Sequence, residues 1–362
     1  MNATIAERVR GLARGLRKLD LKAMLVTNPV DVGYLSGFTG EDSWLLVQGR
    51  ALWLLTDSRF TEQAEKECPG VTVVTRQRTL VEAAADLVRK NRVRRMGFDP
   101  AQVVCRLHAN LAKAMKRVRL VEAEGLAAKL RMRKDGGERR AIVEAIRVAE
   151  EAWAAWRKAV RVGMTERRMA AELDHRMRLA GAEGPAFETI VGIDASGSMP
   201  HHRPGDRRLR RGSVVVVDFG ARVGGYVSDL TRTVFAGKIA PLAREVYNVV
   251  LEAQRAGIAA VKAGKRLKDV DAAARKVIEA AGHGKEFGHG TGHGLGRQVH
   301  EAPYMGLLSG KGRLAAGMVV TVEPGIYLPG RFGIRIEDDL VVTATGRRVL
   351  SSLEKDLDAM VL

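Results

Sequence analysis

Residues 288–303 read GHGTGHGLGRQVHEAP and set three imidazoles, His289, His293 and His300, at spacings of four and seven. Glycines at 288, 290, 292, 294 and 296 make a regular helix costly through the first half. An irregular, tightly bent backbone is expected instead, able to bring an imidazole against a metal ion or a substrate. Six of the eight histidines fall in two short stretches, 201–202 and 283–300, which points to a site rather than to scattered structural histidines.

Four carboxylates accompany them. Asp218 ends the apolar run SVVVVDFG, Asp229 sits inside YVSDLTRTVF, Glu323 ends VVTVE before Pro324-Gly325, and Glu337 lies in GIRIEDD. Strand alternation puts Arg335 and Glu337 on one face and Ile334 and Ile336 on the other. An ionised carboxylate at the end of an apolar strand needs a partner, because its desolvation costs on the order of several kcal/mol. Any one of these acids taken singly reads as the partner of a nearby arginine. The set with His293 reads differently: four carboxylates carry −4, two divalent cations +4, and a neutral imidazole is a fifth ligand. Oxygen-rich ligation with one imidazole and no thiolate suits manganese first, then cobalt, with iron or zinc as further options. Two such ions ~4 Å apart activate a shared water and clamp a carbonyl oxygen, which is the chemistry of amide hydrolysis.

The elements that must hold these residues follow from periodicity. Apolar residues at 5, 9, 12, 16 and 19 predict a first helix rather than a targeting peptide. Strands are expected at Ala23–Thr27, Ser43–Val47, Ala51–Leu55, Val71–Thr75 and Arg95–Phe98, with helices at Thr61–Glu67, Leu80–Lys90 and Val104–Lys116. This alternation predicts an α/β domain over 1–126 that assembles no acids, bases or ligands and serves positioning or oligomerisation. A catalytic α+β domain is expected over 127–362. It should open with long charged helices interrupted at Arg133–Arg140, followed by a helix at Thr165–Ala180 capped by Thr165. Strands at Thr189–Ile193, Ser213–Asp218 and Tyr226–Phe235, helices at Leu242–Ala263 and Leu267–Ala281, and strands at Met318–Glu323 and Gly333–Val342 complete it.

With 362 residues, 46% hydrophobic and 28% charged, the chain has material for two cored domains and is not a disordered sequence. Two cysteines without metal-like spacing fit a reducing cytoplasm, and no apolar run is long enough to span a membrane. The net charge of +18 raises the question of nucleic acid. With 5% aromatics and no aromatic-interleaved basic stripe, it reads as arginine spread over solvated faces, and a nucleic-acid partner is not expected.

Four stretches in this order resemble the creatinase/aminopeptidase P "pita-bread" metallopeptidase family, in its Xaa-Pro peptidase branch. They are FETIVGIDASGSMPHHRPGDR, VDFGARVGGYVSDLTRTV, GHGTGHGLGRQVHEAP and VEPGIYLPGRFGIRIEDD, with NPVDVGYLSGFTG and TDSRFTEQAE upstream. The resemblance implies an α+β fold with a creatinase-like N-terminal α/β domain and a pita-bread catalytic domain. It implies that Asp218, Asp229, His293, Glu323 and Glu337 ligate two metals, with Asp229 and Glu337 bridging. His201 would contact substrate and stabilise the tetrahedral intermediate, His300 would stand near the scissile carbonyl, and Glu323 would also shuttle a proton. His289 would lie further out, Arg335 would hold a bridging carboxylate, and Tyr226 would support the site. His202 departs from the family pattern, where a small residue is usual; position favours His201 over His202 as the one facing the site. DASGSM (194–199) is looser than the family norm at one edge of the substrate pocket.

The expected activity is Xaa-Pro aminopeptidase on peptides with proline second, with Xaa-Pro dipeptidase (prolidase) as the alternative. Proline suits such an enzyme because its peptide nitrogen has no hydrogen to give a protease that binds substrate as a strand. A methionine aminopeptidase normally lacks the first domain, and a creatine amidinohydrolase lacks these ligands. A non-catalytic pita-bread protein acting on nucleic acid is the reading from another class, but such relatives tend to lose ligands and this chain keeps all five. A cytoplasmic homodimer is what the family suggests.

Overall fold

In the computed structural model, which describes residues 3–362, the first apolar repeat forms helix α1 (Ala3–Arg17) and buries Ile5, Val9, Leu12 and Leu16. The chain divides into two compact units, Met1–Arg131 and Met132–Leu362. In the first, α1 is followed by β1 (Ala23–Val26), α2 (Pro29–Ser36), β2 (Trp44–Gln48), β3 (Ala51–Thr56), α3 (Thr61–Glu67) and β4 (Thr72–Thr75). Then come α4 (Leu80–Lys90), β5 (Arg95–Phe98), α5 (Cys105–Ala114), β6 (Arg119–Glu122) and α6 (Leu126–Arg131). The six strands form one mixed sheet in the order β4-β3-β2-β1-β5-β6.

Alternation along β1 shows why this sheet is stable. Met24 and Val26 join the apolar cluster that includes Leu12, Leu16 and Leu35, while Ala23 and Leu25 join the one that includes Leu87, Val88 and Leu111. Both faces are therefore covered by helices. Two elements were not anticipated. Asn28-Pro29 does end the first strand, but it also starts α2: the Asn28 side chain accepts the Val30 N–H, and Pro29 takes a position where no N–H is required. Strand β6 was missed because RLVE is short and half exposed. The domain boundary also moves, from 126/127 to 131/132. Helix α6 belongs to the first unit because Ala127 and Leu130 pack into its core and the buried Arg131 bonds Asp31 at 2.8 Å.

The second unit opens with α7 (Gly136–Ala159) and α8 (Glu166–Leu179). The expected interruption at Arg133–Arg140 is shorter than its glycines suggested. Gly136 and Gly137 lie in the first turn of α7, where Asp135 and Glu138 form a reciprocal cap. There follow β7 (Gly184–Pro185), β8 (Ile190–Ile193), β9 (Val214–Phe219), β10 (Ala221–Val223), β11 (Tyr226–Val227) and β12 (Leu230–Phe235). Helices α9 (Pro241–Ala260) and α10 (Leu267–Ala280) precede β13 (Gly292–Gly294), β14 (Glu301–Met305) and β15 (Val319–Val322). The unit closes with β16 (Gly325–Leu328), β17 (Phe332–Arg335), β18 (Asp338–Val342) and β19 (Arg347–Val349). Its two principal sheets run β12-β9-β8 and β14-β13-β15-β18-β19. This is an α+β fold. No helix among the described residues is long and apolar enough to cross a membrane.

Two single strands expected from the sequence are each broken in two. Tyr226–Phe235 is interrupted at Ser228-Asp229, and Gly333–Val342 at Ile336-Glu337. The breaks coincide with acids because the backbone there is engaged elsewhere. The Asp229 N–H donates to the Asp339 carboxylate at 3.1 Å, and the Glu337 N–H to the Thr231 carbonyl at 3.1 Å.

Candidate metal centre

Five separate places in the second unit supply one ligand-type side chain each. Asp218 comes from β9, Asp229 from the break before β12, His293 from β13, Glu323 from just beyond β15 and Glu337 from the break before β18. They converge. The ligand atoms of Asp218, Asp229 and Glu337 lie within 4.8 Å of one another, as do those of His293, Glu323 and Glu337. His293 Nε2 stands 3.1 Å from Glu323 Oε1 and 3.7 Å from Asp229 Oδ2. His300 stacks edge-on against His293 with ring centroids 4.3 Å apart, and its ring falls in a third such group with Asp229 and His293.

The electrostatics are those of a crowded anionic pocket. Burial first, then Glu337, Asp218 and Glu323, pushes the Asp229 carboxyl well above its ordinary range. Burial first, then Glu323, Asp218 and Asp339, does the same to Glu337. Burial also works to raise Glu323, but the hydrogen bond and charge of His293, with His289 and Arg335, outweigh it and bring that carboxyl down to about 2. Asp218 Oδ1 and Glu337 Oε1 are buried with no hydrogen-bond partner. Orphaned anionic lone pairs facing one another are what divalent cations satisfy, so the donor set fits two of them. His293 is oriented as a ligand: its Nδ1–H donates to the Gly294 carbonyl at 3.2 Å, which turns Nε2 towards Glu323 and Asp229, the nitrogen that a bound cation would take in place of a proton.

Around these residues runs a polar shell that orients them. Arg335 donates from Nη2 to Asp218 Oδ2 at 2.6 Å, from Nε to Thr231 Oγ1 at 3.1 Å and from Nη1 to the Tyr327 hydroxyl oxygen at 2.7 Å. Thr231 donates to Glu337 Oε2 at 2.7 Å. His289 Nδ1 donates to the Gly290 carbonyl at 2.8 Å, so its Nε2 accepts from Tyr327 at 2.9 Å. Burial lowers the His289 pKa and keeps that ring neutral. A cavity of about 750 Å³ opens over the acids, with His201, His202, His289 and His300 in its wall.

The resemblance seen in the sequence can now be set beside known proteins. Residues 140–344 match metallopeptidase family M24, and residues 8–133 match the creatinase/prolidase N-terminal domain. The chain belongs to the M24 metallopeptidase family. An Xaa-Pro dipeptidase of Pyrococcus furiosus is 30% identical over 352 residues, covering 97% of this chain and 99% of that protein. A solved Xaa-Pro dipeptidase from Bacillus anthracis superposes with a TM-score of 0.95 at 34% identity, over 99% of this chain and 100% of the other. An X-Pro aminopeptidase from Thermotoga maritima gives 0.90 at 35% identity, over 96% of this chain and 100% of the other. This M24 chain is a peptidase, and its family implies divalent metal ions.

Within the M24 centre, most of the residues singled out from sequence come together, and two expectations need correction. Tyr226 does not line the cavity; its hydroxyl donates to Glu138 at 3.0 Å beneath α7, and Tyr327 is the tyrosine bonded to His289 and Arg335. Tyr226 opens the two-residue strand that precedes the break carrying Asp229 inward, so closeness in sequence misled. Arg335 touches neither carboxylate expected to bridge. It holds Asp218 directly and reaches Glu337 only through Thr231, because Thr231 on β12 lies between them.

Reasoning from sequence missed Tyr327, Thr231, Asp339 and Glu166. Glu166, buried at the start of α8, accepts from Ile193 N at 2.9 Å and Gly205 N at 2.9 Å and meets His202 Nε2 at 2.8 Å. That contact ties His202 to Glu166 and fastens the loop on which His201 stands. The one available signal was a carboxylate directly after the Thr165 cap, which reads as ordinary helix chemistry.

Proposed function

We propose that the protein is an Xaa-Pro aminopeptidase, releasing the first residue from peptides with proline in second position. Asp218, Asp229, His293, Glu323 and Glu337 would hold two divalent cations, manganese in first place by the hardness of the donors and cobalt, iron or zinc after it. When bound, such a pair supplies an activated water and polarises the scissile carbonyl. Glu323, ionised at neutral pH and bonded by Thr321 at 3.3 Å, would take a proton and return it to the leaving nitrogen. His201, ahead of the ligand set in sequence, and His300, between His293 and Glu323, share one cavity wall and would donate to the oxygen on which charge develops. Arg335 and Tyr327 keep Asp218 and His289 in register.

One observation favours substrates longer than a dipeptide. Of the two arginines lining the cavity, Arg335 is buried and held by Asp218, and Arg203 stands on the exposed rim beside Glu188 at 3.4 Å, so no buried, unengaged cation lines the cavity among the described residues. A dipeptidase must seat a free carboxylate directly beyond the proline, and an unengaged cation is the usual partner for one. The dipeptidase reading is supported by the Pyrococcus and Bacillus relatives. Hydrolysis of Ala-Pro-Ala and Ala-Pro, measured side by side with added Mn²⁺ and with a chelator, separates the two. The tripeptide should be cleaved with higher kcat/KM, and the chelator should abolish the activity. Cleavage of the dipeptide alone would make the enzyme a prolidase; cleavage of neither would remove the Xaa-Pro assignment.

A further inference from the structure

Two segments of the first unit, 89–95 (RKNRVRR) and 113–119 (KAMKRVR), hold nine Lys and Arg and no Asp or Glu. Separated along the chain, neither forms a long basic run. The fold makes them neighbours. Each is the exit of a helix, α4 or α5, into a strand, β5 or β6, and these strands pair in parallel with Arg95 opposite Arg119. The Arg119 N–H donates to the Arg94 carbonyl at 2.8 Å. In each turn one valine, Val93 or Val118, packs into the core, so Arg92 and Arg94, and likewise Arg117 and Arg119, are turned outward and exposed.

The same edge continues onto β1. Ala23 lies opposite Met96, and Met96 opposite Leu120, which sets Lys22 in one row with Arg95 and Arg119. At the strand spacing of ~4.8 Å this row is about 10 Å wide. The hairpin turn joins it, because Gly49 donates to the Lys22 carbonyl at 3.1 Å and Arg50 follows. Acidic cover is sparse: Asp20 meets Arg95 at 3.2 Å and Asp86 meets Arg89 at 2.7 Å. Arg92, Arg94, Lys116, Arg117 and Arg119 have no carboxylate within 4.0 Å among the described residues. Helix C-termini attract cations, which accounts for Arg89, Lys90 and Lys113 in the last turns but not for these five. Like charges in register on neighbouring strands destabilise a sheet, and a polyanion relieves the repulsion.

We propose that this end of the first unit binds the phosphate backbone of double-stranded nucleic acid without regard to sequence. A row of cations matches an evenly charged rod better than a single anion. The two segments contain no aromatic residue to stack unpaired bases and expose no large apolar side chain to enter a membrane. The inference is independent of the peptidase reading.

Fluorescence anisotropy of the full-length protein with a labelled random-sequence DNA duplex tests it, between 50 and 300 mM KCl. Binding should be micromolar near physiological salt and weaken steeply as salt rises. The variant Arg94→Glu/Arg117→Glu/Arg119→Glu should bind at least 10-fold more weakly and lose about 2 to 3 from the salt slope, at ~0.9 per phosphate contact. The milder Arg94→Gln/Arg117→Gln/Arg119→Gln variant guards against misfolding and should lose affinity in the same direction, with peptidase activity unchanged. Arg244→Glu/Lys268→Glu/Lys276→Glu, on exposed faces of α9 and α10, changes the net charge equally. An equal loss in that control would overturn the proposal, as would binding to anionic phospholipid vesicles without binding to duplex.

Discussion

Asp229 and Glu337 face each other in a space too dry to screen them, and both carboxyls are driven upward first by burial and then by their acidic neighbours. Removing either side chain relieves repulsion in the metal-free protein but takes away an oxygen that two cations would share. Asp229→Ala and Glu337→Ala should therefore fold, lose at least 1,000-fold in Xaa-Pro hydrolysis, and carry less metal after dialysis by elemental analysis. Wild-type activity in either variant would end the assignment of these acids as ligands. At this scale the ligand-type residues were legible because charged groups at the ends of apolar strands are conspicuous. Thr231 and Tyr327 were not. Their types are unremarkable in strands, and they act through Glu337, His289 and Arg335, partners far off or on the neighbouring strand.

Three strands around the centre stop just before a side chain that turns inward: β11 before Asp229, β15 before Glu323 and β17 before Glu337. Glycines at 292 and 294 were read as the mark of a bent, irregular backbone; they instead form β13, with a register shift between His293 and Gly294. The reason for glycine is the close approach of neighbours. A Cβ at Gly292 would stand 2.2 Å from the Thr321 carbonyl oxygen, and one at Gly294 would stand 2.4 Å from that of Ala302. Because these contacts are backbone, they cannot yield without moving β15 or β14. Gly292→Ala should lower unfolding stability in urea by about 1–3 kcal/mol and displace His293, with at least a tenfold loss of activity. Unchanged stability and activity would show that β13 has room the geometry does not display.

Across the whole molecule, the two cysteines report on how well the first unit is closed. Cys68 is buried and Cys105 exposed. Burial pushes the Cys68 thiol up to about 11, against a weaker opposing hydrogen bond with Ser36. Between pH 9 and 11 the unfolded chain would lose the Cys68 proton while the folded chain keeps it. Folding stability therefore falls with rising pH in that window, and Cys68→Ala should remove this contribution. At pH 8, a disulfide reagent should titrate one thiol rapidly in the native protein and two in denaturant. Two fast thiols in the native protein would mean that the core around Cys68 opens readily. The +18 charge also changes meaning at this scale, since segments unremarkable along the chain become one surface when β5 pairs with β6.

By itself the amino-acid order determined most of the helices and strands, the two-domain plan, and the set of acids and histidines that face the cavity. Those features depend on local periodicity, capping and residue type, which act over a few neighbouring positions. Only the tertiary structure decided which tyrosine serves the centre, which carboxylate Arg335 holds, and that Glu166 engages His202. It also moved the domain boundary past α6 and broke two apparent strands at Asp229 and Glu337. Each of these depends on a hydrogen bond between residues from 36 to 117 apart along the chain, formed when the sheets assemble.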